Sequence, residues 1–208
     1  MSIGTNGVGS SIAVILSSIF KVETSDSKKK FVQEYSDGLL DISVPKIKDT
    51  DKNGTKITFT PDFEYFKIPE LDKDHIDKMI KRVVDAAGCN PEIKFYINDV
   101  KLNFKSFNDY VSSYQEDFVS DENKDWKIAI ASSKGEFEQV SFVNSVETYS
   151  GGTHIDYVFV QIAAKLREFF KKKHKVDVTP SMLKSHIRLF ISCNIDKPKF
   201  ASPTLNAL

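Results

Sequence analysis

A chain of 208 residues is long enough to bury a hydrophobic core, and its length fits one large domain or two small ones. Its 29 basic and 29 acidic side chains cancel, so no overall positive field attracts nucleic acid, and any such contact must come from a local patch. No apolar run is long enough to span a bilayer, and the opening residues lack the basic segment of a secretion signal, which excludes a membrane partner.

Near the N-terminus, Gly4, Gly7 and Gly9 stand directly before an apolar-periodic helix. Glycine permits close approach of the backbone, and a helix N-terminus presents unpaired N–H groups at the positive end of the dipole. The pattern therefore predicts a site for a phosphate group. It is not a Walker A loop, because no Lys-Ser or Lys-Thr pair follows the last glycine. The alternative is a flexible chain start in which Ser10 or Ser11 caps the helix.

The next part of the chain predicts strands and a turn. The first helix is expected to end near Phe20. Strands are expected at residues 20–24, at residues 31–35 and at a half-buried stretch that carries Ile57 and Phe59. Asn53-Gly54 is a strong hairpin dipeptide and predicts a turn just before the last of these strands.

A second helix is predicted from Asp72 or Asp74, which can cap it, to Gly88, which is expected to end it. Further along, the pattern predicts the elements in this order: a strand at 93–97 with an Asn98-Asp99 turn, a helix at 104–114, a charged loop at 120–124, strands at 126–131 and 138–143, a long helix after Gly151-Gly152-Thr153, a helical turn from Thr179-Pro180, and a strand with Leu189, Ile191 and Cys193. This order indicates an α+β fold.

The cysteines and histidines form no metal site in the sequence. Cys89 and Cys193 are too few and too far apart for a disulfide framework or a zinc site, so we expect two buried thiols in a reducing compartment such as the cytoplasm. His154 and Asp156 lie two positions apart, which places them on different sides of a helix. We predict no structural zinc.

A dense positive cluster, Lys171-Lys172-Lys173, lies near the end of the long helix. One interpretation is a solvated helix end, which the helix dipole favours. The other is contact with the phosphate backbone of double-stranded DNA, independent of base sequence.

Three segments together resemble the type II DNA topoisomerases of the gyrase/Hsp90/histidine-kinase/MutL ATPase superfamily. Residues 4–9, Gly-Thr-Asn-Gly-Val-Gly, are similar to the glycine-rich ATP lid of these enzymes. Residues 53–62 are similar to the strand that follows the lid, and residues 141–156 to the opening of the transducer domain. The likeness covers nearly all of the chain and looks closest to the large subunit of T-even-type phage topoisomerases.

The resemblance implies an α+β chain of two parts. Residues 1–103 would be the C-terminal portion of the ATPase domain, from the lid onward, and residues 104–208 the transducer domain, with a small sheet and a long helix. It also implies ATP and Mg²⁺ as cofactors. Backbone groups of the lid would wrap the triphosphate, Ser10 and Ser11 would open the helix that faces it, and Thr55 would help to fix the adenine. The lid positions are Gly4, Thr5, Asn6, Gly7, Val8 and Gly9.

Two departures from the family pattern restrict what we expect of the chain alone. In the family the catalytic Glu and the Mg²⁺-binding Asn precede the lid, and the sequence here starts at the lid. Pro203-Thr204-Leu205 stands where a Gln-Thr-Lys loop is expected, and leucine cannot donate a charge-assisted hydrogen bond to a γ-phosphate. We therefore expect no ATP hydrolysis and no DNA cleavage by the chain alone.

The function that the resemblance implies is part of an ATP-dependent enzyme that passes one DNA duplex through another. The implied partners are double-stranded DNA, a DNA-cleavage subunit or domain, and a second copy joined through the complete ATPase domains. A second hypothesis is a non-catalytic interaction protein that has kept the fold of this region and lost its activity.

Overall fold

The computed structural model describes residues 8–201, 205, 207 and 208, and the lid positions Gly4, Thr5, Asn6 and Gly7 lie outside them. The chain divides into two compact units, one that ends at His75 and one that runs from Ile76 to Leu208. Each unit mixes helices with a sheet, so the predicted α+β class is confirmed. None of the described helices is long and apolar enough to cross a lipid bilayer.

The first unit is built on an antiparallel sheet. Its elements are α1 (Val8–Ile15), β1 (Ser17–Asp26), β2 (Lys29–Ser36), β3 (Asp41–Ile42), β4 (Lys46–Asp49), β5 (Asn53–Pro61) and α2 (Phe63–Phe66). The strand order is β3-β2-β1-β5, and β4 also pairs with β2. Phe20 of β1 is buried and stacks on Phe59 of β5 at a ring-centroid distance of 6.1 Å. This pair is the centre of the sheet's apolar face.

Three predictions for the first unit were wrong. The first helix ends at Ile15 and not near Phe20, because residues from Ser17 onward pair with β5 and β2. Asn53 and Gly54 are not a turn, because they pair with Asp26 and Ser25, and the connection from β4 lies at residues 50–52. The predicted half-burial of β5 is also wrong, since all of its residues but the last are exposed.

The second unit is a mixed sheet with helices on both faces. Its elements are α3 (Lys73–Cys89, which begins before the unit boundary), β6 (Tyr96–Ile97), β7 (Val100–Lys101), α4 (Phe107–Ser112), β8 (Phe118–Glu122), β9 (Trp126–Ser132), β10 (Glu138–Val143), β11 (Val146–Glu147), α5 (Thr153–His174), α6 (Pro180–Lys184) and β12 (Ile187–Cys193). The sheet order is β11-β10-β12-β9-β8, with β10 and β12 parallel and the other pairs antiparallel. The long helix α5 makes the crossover between the two parallel strands, as expected for a transducer-like sheet with a long helix.

Two hydrophobic cores fill the two faces of this sheet. Under α5 lies a cluster of Val143, Ile155, Val158, Phe159, Ala163, Ile187, Leu189, Ile191 and Cys193. On the other face α4 packs with the end of α3 in a cluster of Cys89, Phe107, Tyr110, Val111, Ala129, Ala131, Phe142 and Phe190. Strand alternation explains the division, because successive residues of β10 and β12 point to opposite faces.

The structure corrects four predictions for the second unit. Helix α3 continues through Gly88, which is buried against α4. Of the predicted loop at 120–124, residues 120–122 belong to the charged edge strand β8, which pairs with β9, and only Asn123 and Lys124 lie in the connection. The strand at 93–97 is only Tyr96–Ile97, although the Asn98-Asp99 turn is confirmed, with φ of 47° and 64°. The helix at 104–114 shortens to Phe107–Ser112, because the Ser106 hydroxyl caps its start.

Gly88 offers a direct test of how α3 packs. A Cβ at this position would lie 2.4 Å from the Tyr110 ring, whereas a Cβ at Gly9 in α1 would meet nothing within 4 Å. We expect Gly88→Ala to lower the free energy of unfolding by about 3 kcal/mol, because the overpacked ring has to move. Gly9→Ala should instead be neutral or stabilise by up to about 1 kcal/mol, since alanine favours helix. Chemical denaturation of the two variants measures both effects, and similar small changes would contradict the packing described.

Candidate functional site

The described part of the predicted phosphate site is the first turn of α1. The helix begins at Val8, so Gly9, Ser10 and Ser11 lie inside its first turn and neither serine caps it. All four residues are exposed, and the first turn carries no acidic side chain. The first backbone N–H groups of a helix have no partner within it, and here no carboxylate neutralises the positive end of the dipole. The turn therefore fits an anionic group such as a phosphate.

Helix α1 is fixed at one end of the first sheet. The Ser17 hydroxyl donates to the carbonyl of Ala13 at 2.5 Å, which ties the start of β1 to the last turn of the helix. The Asp62 N–H donates to the carbonyl of Leu16 at 3.0 Å, which joins the same point to the end of β5. These contacts position the helix through its C-terminal end and leave its first turn exposed.

Thr55 lies near the other end of the same sheet. It pairs with Thr24, and their hydroxyl oxygens are 2.8 Å apart. Thr55 is six residues along β5 from Pro61, about 20 Å at the usual rise of a strand. The sheet therefore separates Thr55 from the junction of α1 and β1, and the described residues do not by themselves close a pocket around both.

The residues described form no metal centre. No group of three His, Cys, Asp or Glu side chains among them is arranged to hold an ion. His75 is hydrogen-bonded locally. Its Nδ1 lies 2.6 Å from the carboxylate of Asp72, which also accepts the backbone N–H of His75. Asp156 lies 3.6 Å from Lys184 and makes no hydrogen bond to His154. His154 and Asp156 therefore form no catalytic pair.

The two cysteines are the small buried residues that the sequence predicted. Cys89 and Cys193 are both buried and unpaired. Burial raises the pKa of each thiol to about 12, so neither is a reactive thiolate near neutral pH.

The segment at 141–156 contains a buried polar cluster, which we call the Thr148 cluster, made of Ser141, Thr148 and His154. The Thr148 hydroxyl lies 2.6 Å from that of Ser141 and 3.1 Å from His154 Nε2. Burial lowers the pKa of His154 to about 4, so the ring is neutral in the folded protein. The histidine is a structural residue at the start of α5.

Titration of His154 gives a test. The unfolded chain takes up a proton below a pKa of about 6.5, whereas the folded chain does so only near 4, so acid favours unfolding. We expect this residue alone to remove about 2 kcal/mol of unfolding free energy between about pH 7 and pH 5. Denaturation at several pH values should show a shallower dependence in His154→Gln, while His186→Gln, at an exposed position, should keep the original slope. Parallel slopes for all three proteins would show that the buried ring is not the cause.

A second buried network was missed by sequence reasoning. Asp85 of α3 is almost fully buried and accepts from the Tyr110 hydroxyl at 2.8 Å and from Lys81 Nζ at 2.7 Å. Lys81 also donates to Glu147 of β11 at 2.7 Å. Burial opposes the charge on Lys81, but these hydrogen bonds outweigh it and raise its pKa. The network fastens the second half of α3 to the sheet, and the Lys81/Asp85 spacing of four was its signal in the sequence.

The lysine cluster lies in the last turn of α5, as predicted. Lys172 Nζ is 2.5 Å from Glu168, and Lys173 Nζ is 5.1 Å from the centre of the Phe169 ring. The helix ends at His174, and Lys175 follows with φ of 59°. All three lysines are exposed, so the cluster is accessible to a polyanion although Glu168 offsets part of its charge.

Comparison with known proteins identifies the family of this chain. Residues 88–208 match the family described as DNA gyrase B. The chain is 37% identical over 222 residues to the probable DNA topoisomerase 2 of Dictyostelium discoideum, covering 99% of this chain and 14% of that protein. It is 38% identical over 217 residues to DNA topoisomerase 2-beta of Gallus gallus, covering 97% of this chain and 13% of that protein. The chain thus spans a small part of these relatives' length.

Solved structures agree with the sequence comparison. The ATPase region of Saccharomyces cerevisiae topoisomerase II is similar with a TM-score of 0.91 and 35% identity, over 99% of this chain and 55% of that one. The ATPase and transducer domains of DNA topoisomerase II from Balamuthia mandrillaris give a TM-score of 0.91 and 34% identity, over 99% of this chain and 56% of that one. The resemblance to type II topoisomerases is confirmed, and the likeness to the phage branch stays a prediction.

Proposed function

The chain belongs to the DNA gyrase B family, and from this premise we propose that it forms the ATP-lid and transducer part of an ATP-dependent type II DNA topoisomerase. The observation that carries the proposal is the match of 99% of the chain to the ATPase region of the yeast enzyme, at a TM-score of 0.91. Residues 1–103 would complete the nucleotide-binding domain, and residues 104–208 would be the transducer. Two buried, unpaired cysteines suit a reducing cytoplasm.

In this proposal the first turn of α1 holds the triphosphate of ATP. The N–H groups of Val8, Gly9, Ser10 and Ser11 stand at the positive end of the helix. Gly4 to Gly7, which lie outside the described residues, would add the rest of the lid, as the family resemblance implies. Thr55, whose hydroxyl is held by Thr24, would fix the adenine. Hydrolysis of bound ATP supplies the free energy of the cycle. The ligands of Mg²⁺ would come from outside the described residues.

Close packing among residues 104–208 supports the transducer role. Their strands β10 and β12 are joined by α5 and packed on both faces. A unit packed in this way moves as one body, since a close-packed interior does not deform continuously. We propose that it relays the nucleotide state to a DNA-cleavage subunit or domain, in an enzyme that dimerises through its complete ATPase domains and passes one DNA duplex through another.

A second candidate is a non-catalytic interaction protein with the same fold. Leu205 favours it, because an uncharged, half-buried side chain stands where the family pattern places a lysine. Pro203 and Thr204 of the same stretch lie outside the described residues. Binding of an ATP analogue by a chimera that restores the complete ATPase region distinguishes the two candidates.

The test uses a chimera in which this chain replaces the matched stretch of the yeast ATPase region. We expect Ser10→Asp to weaken binding of a non-hydrolysable ATP analogue about tenfold or more, because it adds a negative charge beside the triphosphate. Ser181→Asp is the matched control, since it adds the same charge to the exposed first turn of α6. Isothermal titration calorimetry measures both affinities. Equal affinities, or no binding by the unaltered chimera, would remove the proposed ATP site.

The lysine cluster of α5 gives a separate test of DNA binding. Changing Lys171, Lys172 and Lys173 to Glu in the chimera should weaken binding to duplex DNA. The slope of log affinity against log salt concentration should fall by the amount expected for about two to three phosphate contacts. The control changes Lys28, Lys29 and Lys30, an equal run of lysines at the turn before β2 and the first two positions of that strand, to Glu. Filter binding over a range of salt concentrations measures the slope. Unchanged affinity in the first variant would favour the solvated helix end.

A further inference from the structure

The last turns of α5 carry an aromatic ring that the core does not use. The apolar stripe of this helix packs on the sheet as far as Leu166, which contacts the core under α5. Phe169 continues the stripe at helical spacing, but it is 47% exposed and is not among the described residues that pack on that core. Its exposed surface therefore remains available to a binding partner.

Two more rings lie next to Phe169. The ring centre of Phe170 is 5.8 Å away, with the two planes nearly perpendicular at 81°, and the ring of His174 lies 5.8 Å from each of the two phenylalanines. We call these three residues the α5 aromatic cluster. Edge-to-face contacts of this kind fix the orientation of a ring, so Phe169 is held in place although much of its surface is exposed.

Lysines flank the α5 aromatic cluster. Residues 168–175 contain four lysines against a single glutamate, Glu168. Lys173 Nζ stands 5.1 Å from the centre of the Phe169 ring. The other three line one surface concavity together with the glutamate: Lys171, Lys172 and Lys175. The end of α5 therefore presents a net positive charge beside an exposed ring.

This combination separates the two interpretations of the lysine run. A solvated helix end needs only polar side chains, and an exposed phenylalanine has no role in it. Duplex DNA offers phosphates to the lysines and, between the two rows of phosphates, the apolar edges of sugars and bases in the minor groove. Proteins that bind this groove place apolar side chains there. Lysines beside a fixed ring are therefore complementary to duplex DNA in both charge and polarity.

We propose that Phe169 is a DNA-binding residue, and that its ring contacts the minor groove of a duplex whose phosphates are bound by Lys171, Lys172 and Lys173. This proposal rests on the proposed function, which supplies the duplex. The lysines give affinity that depends on salt, because each phosphate contact releases counterions. The ring adds affinity that is nearly independent of salt, because burial of apolar surface releases no ions.

A salt titration separates the two contributions. In the chimera defined above, Phe169→Ala should weaken binding of a duplex oligonucleotide about tenfold at every salt concentration, as expected for the loss of an apolar contact by a half-exposed phenylalanine. The slope of log affinity against log salt concentration should stay the same. Phe169→Tyr should restore most of the affinity, because it keeps the ring. Filter binding measures all of these affinities.

Phe66→Ala is the matched control. Phe66 lies in α2 of the first unit, is 45% exposed and packs on a neighbouring ring, Tyr65, at 5.3 Å between centroids. The substitution removes an equally exposed ring from an aromatic pair that no lysine run accompanies. It should bind the duplex with the affinity of the unaltered chimera.

Three results would overturn the proposal. The first is unchanged affinity in Phe169→Ala, and the second is an equal loss in Phe66→Ala. The third is a smaller salt slope in Phe169→Ala, because the ring would then act only by positioning Lys173. Full binding by Phe169→Ala together with lost binding in the triple lysine variant defeats this proposal and leaves the DNA contact of the proposed function intact. No binding by the unaltered chimera defeats both, so the two failures are distinguishable.

Discussion

Parallel pairing of β10 with β12 is the constraint on which the second unit depends. Parallel strands cannot be joined by a tight turn, so a long crossover is required, and α5 supplies it with 22 residues. A sheet with parallel strands also needs cover on both faces, which α5 provides on one side and α4 with the end of α3 on the other. The buried Asp85 can exist there because Tyr110 and Lys81 satisfy it.

The first unit has no parallel strands among its described residues, so the same constraint does not apply to it. All of its strand pairs are antiparallel, so its sheet needs no helical crossover between parallel strands and no cover on both faces. Its polar face is already complete, with Glu23 paired to lysines, while its apolar face has only Phe20 buried. Hydrophobic burial is the main favourable term in folding, and this unit has little of it. Its sheet is therefore expected to be less stable than that of the second unit.

The sequence was sufficient where one local signal acted alone. The helix α5, the helical turn from Thr179-Pro180 and the Asn98-Asp99 turn were predicted because periodicity, a proline at a helix start and turn dipeptides act over a few residues. It failed where pairing partners decide the outcome. Ser17 to Phe20 continue the helical spacing of α1 but pair with β5, and Asn53-Gly54 is a turn dipeptide that lies within a strand.

The candidate site shows the same division. A helix start after glycines could be read from local pattern, although Gly4 to Gly7 lie outside the described residues and the ATP role itself stays a proposal. Burial of His154 and Asp85 could not be read in this way. The spacing of four indicates a Lys81–Asp85 ion pair, but no local pattern reveals that Asp85 is buried against Tyr110 or that His154 is buried beside Thr148. Gly88 was interpreted as a helix end for the same reason, since only the Tyr110 ring explains a glycine there.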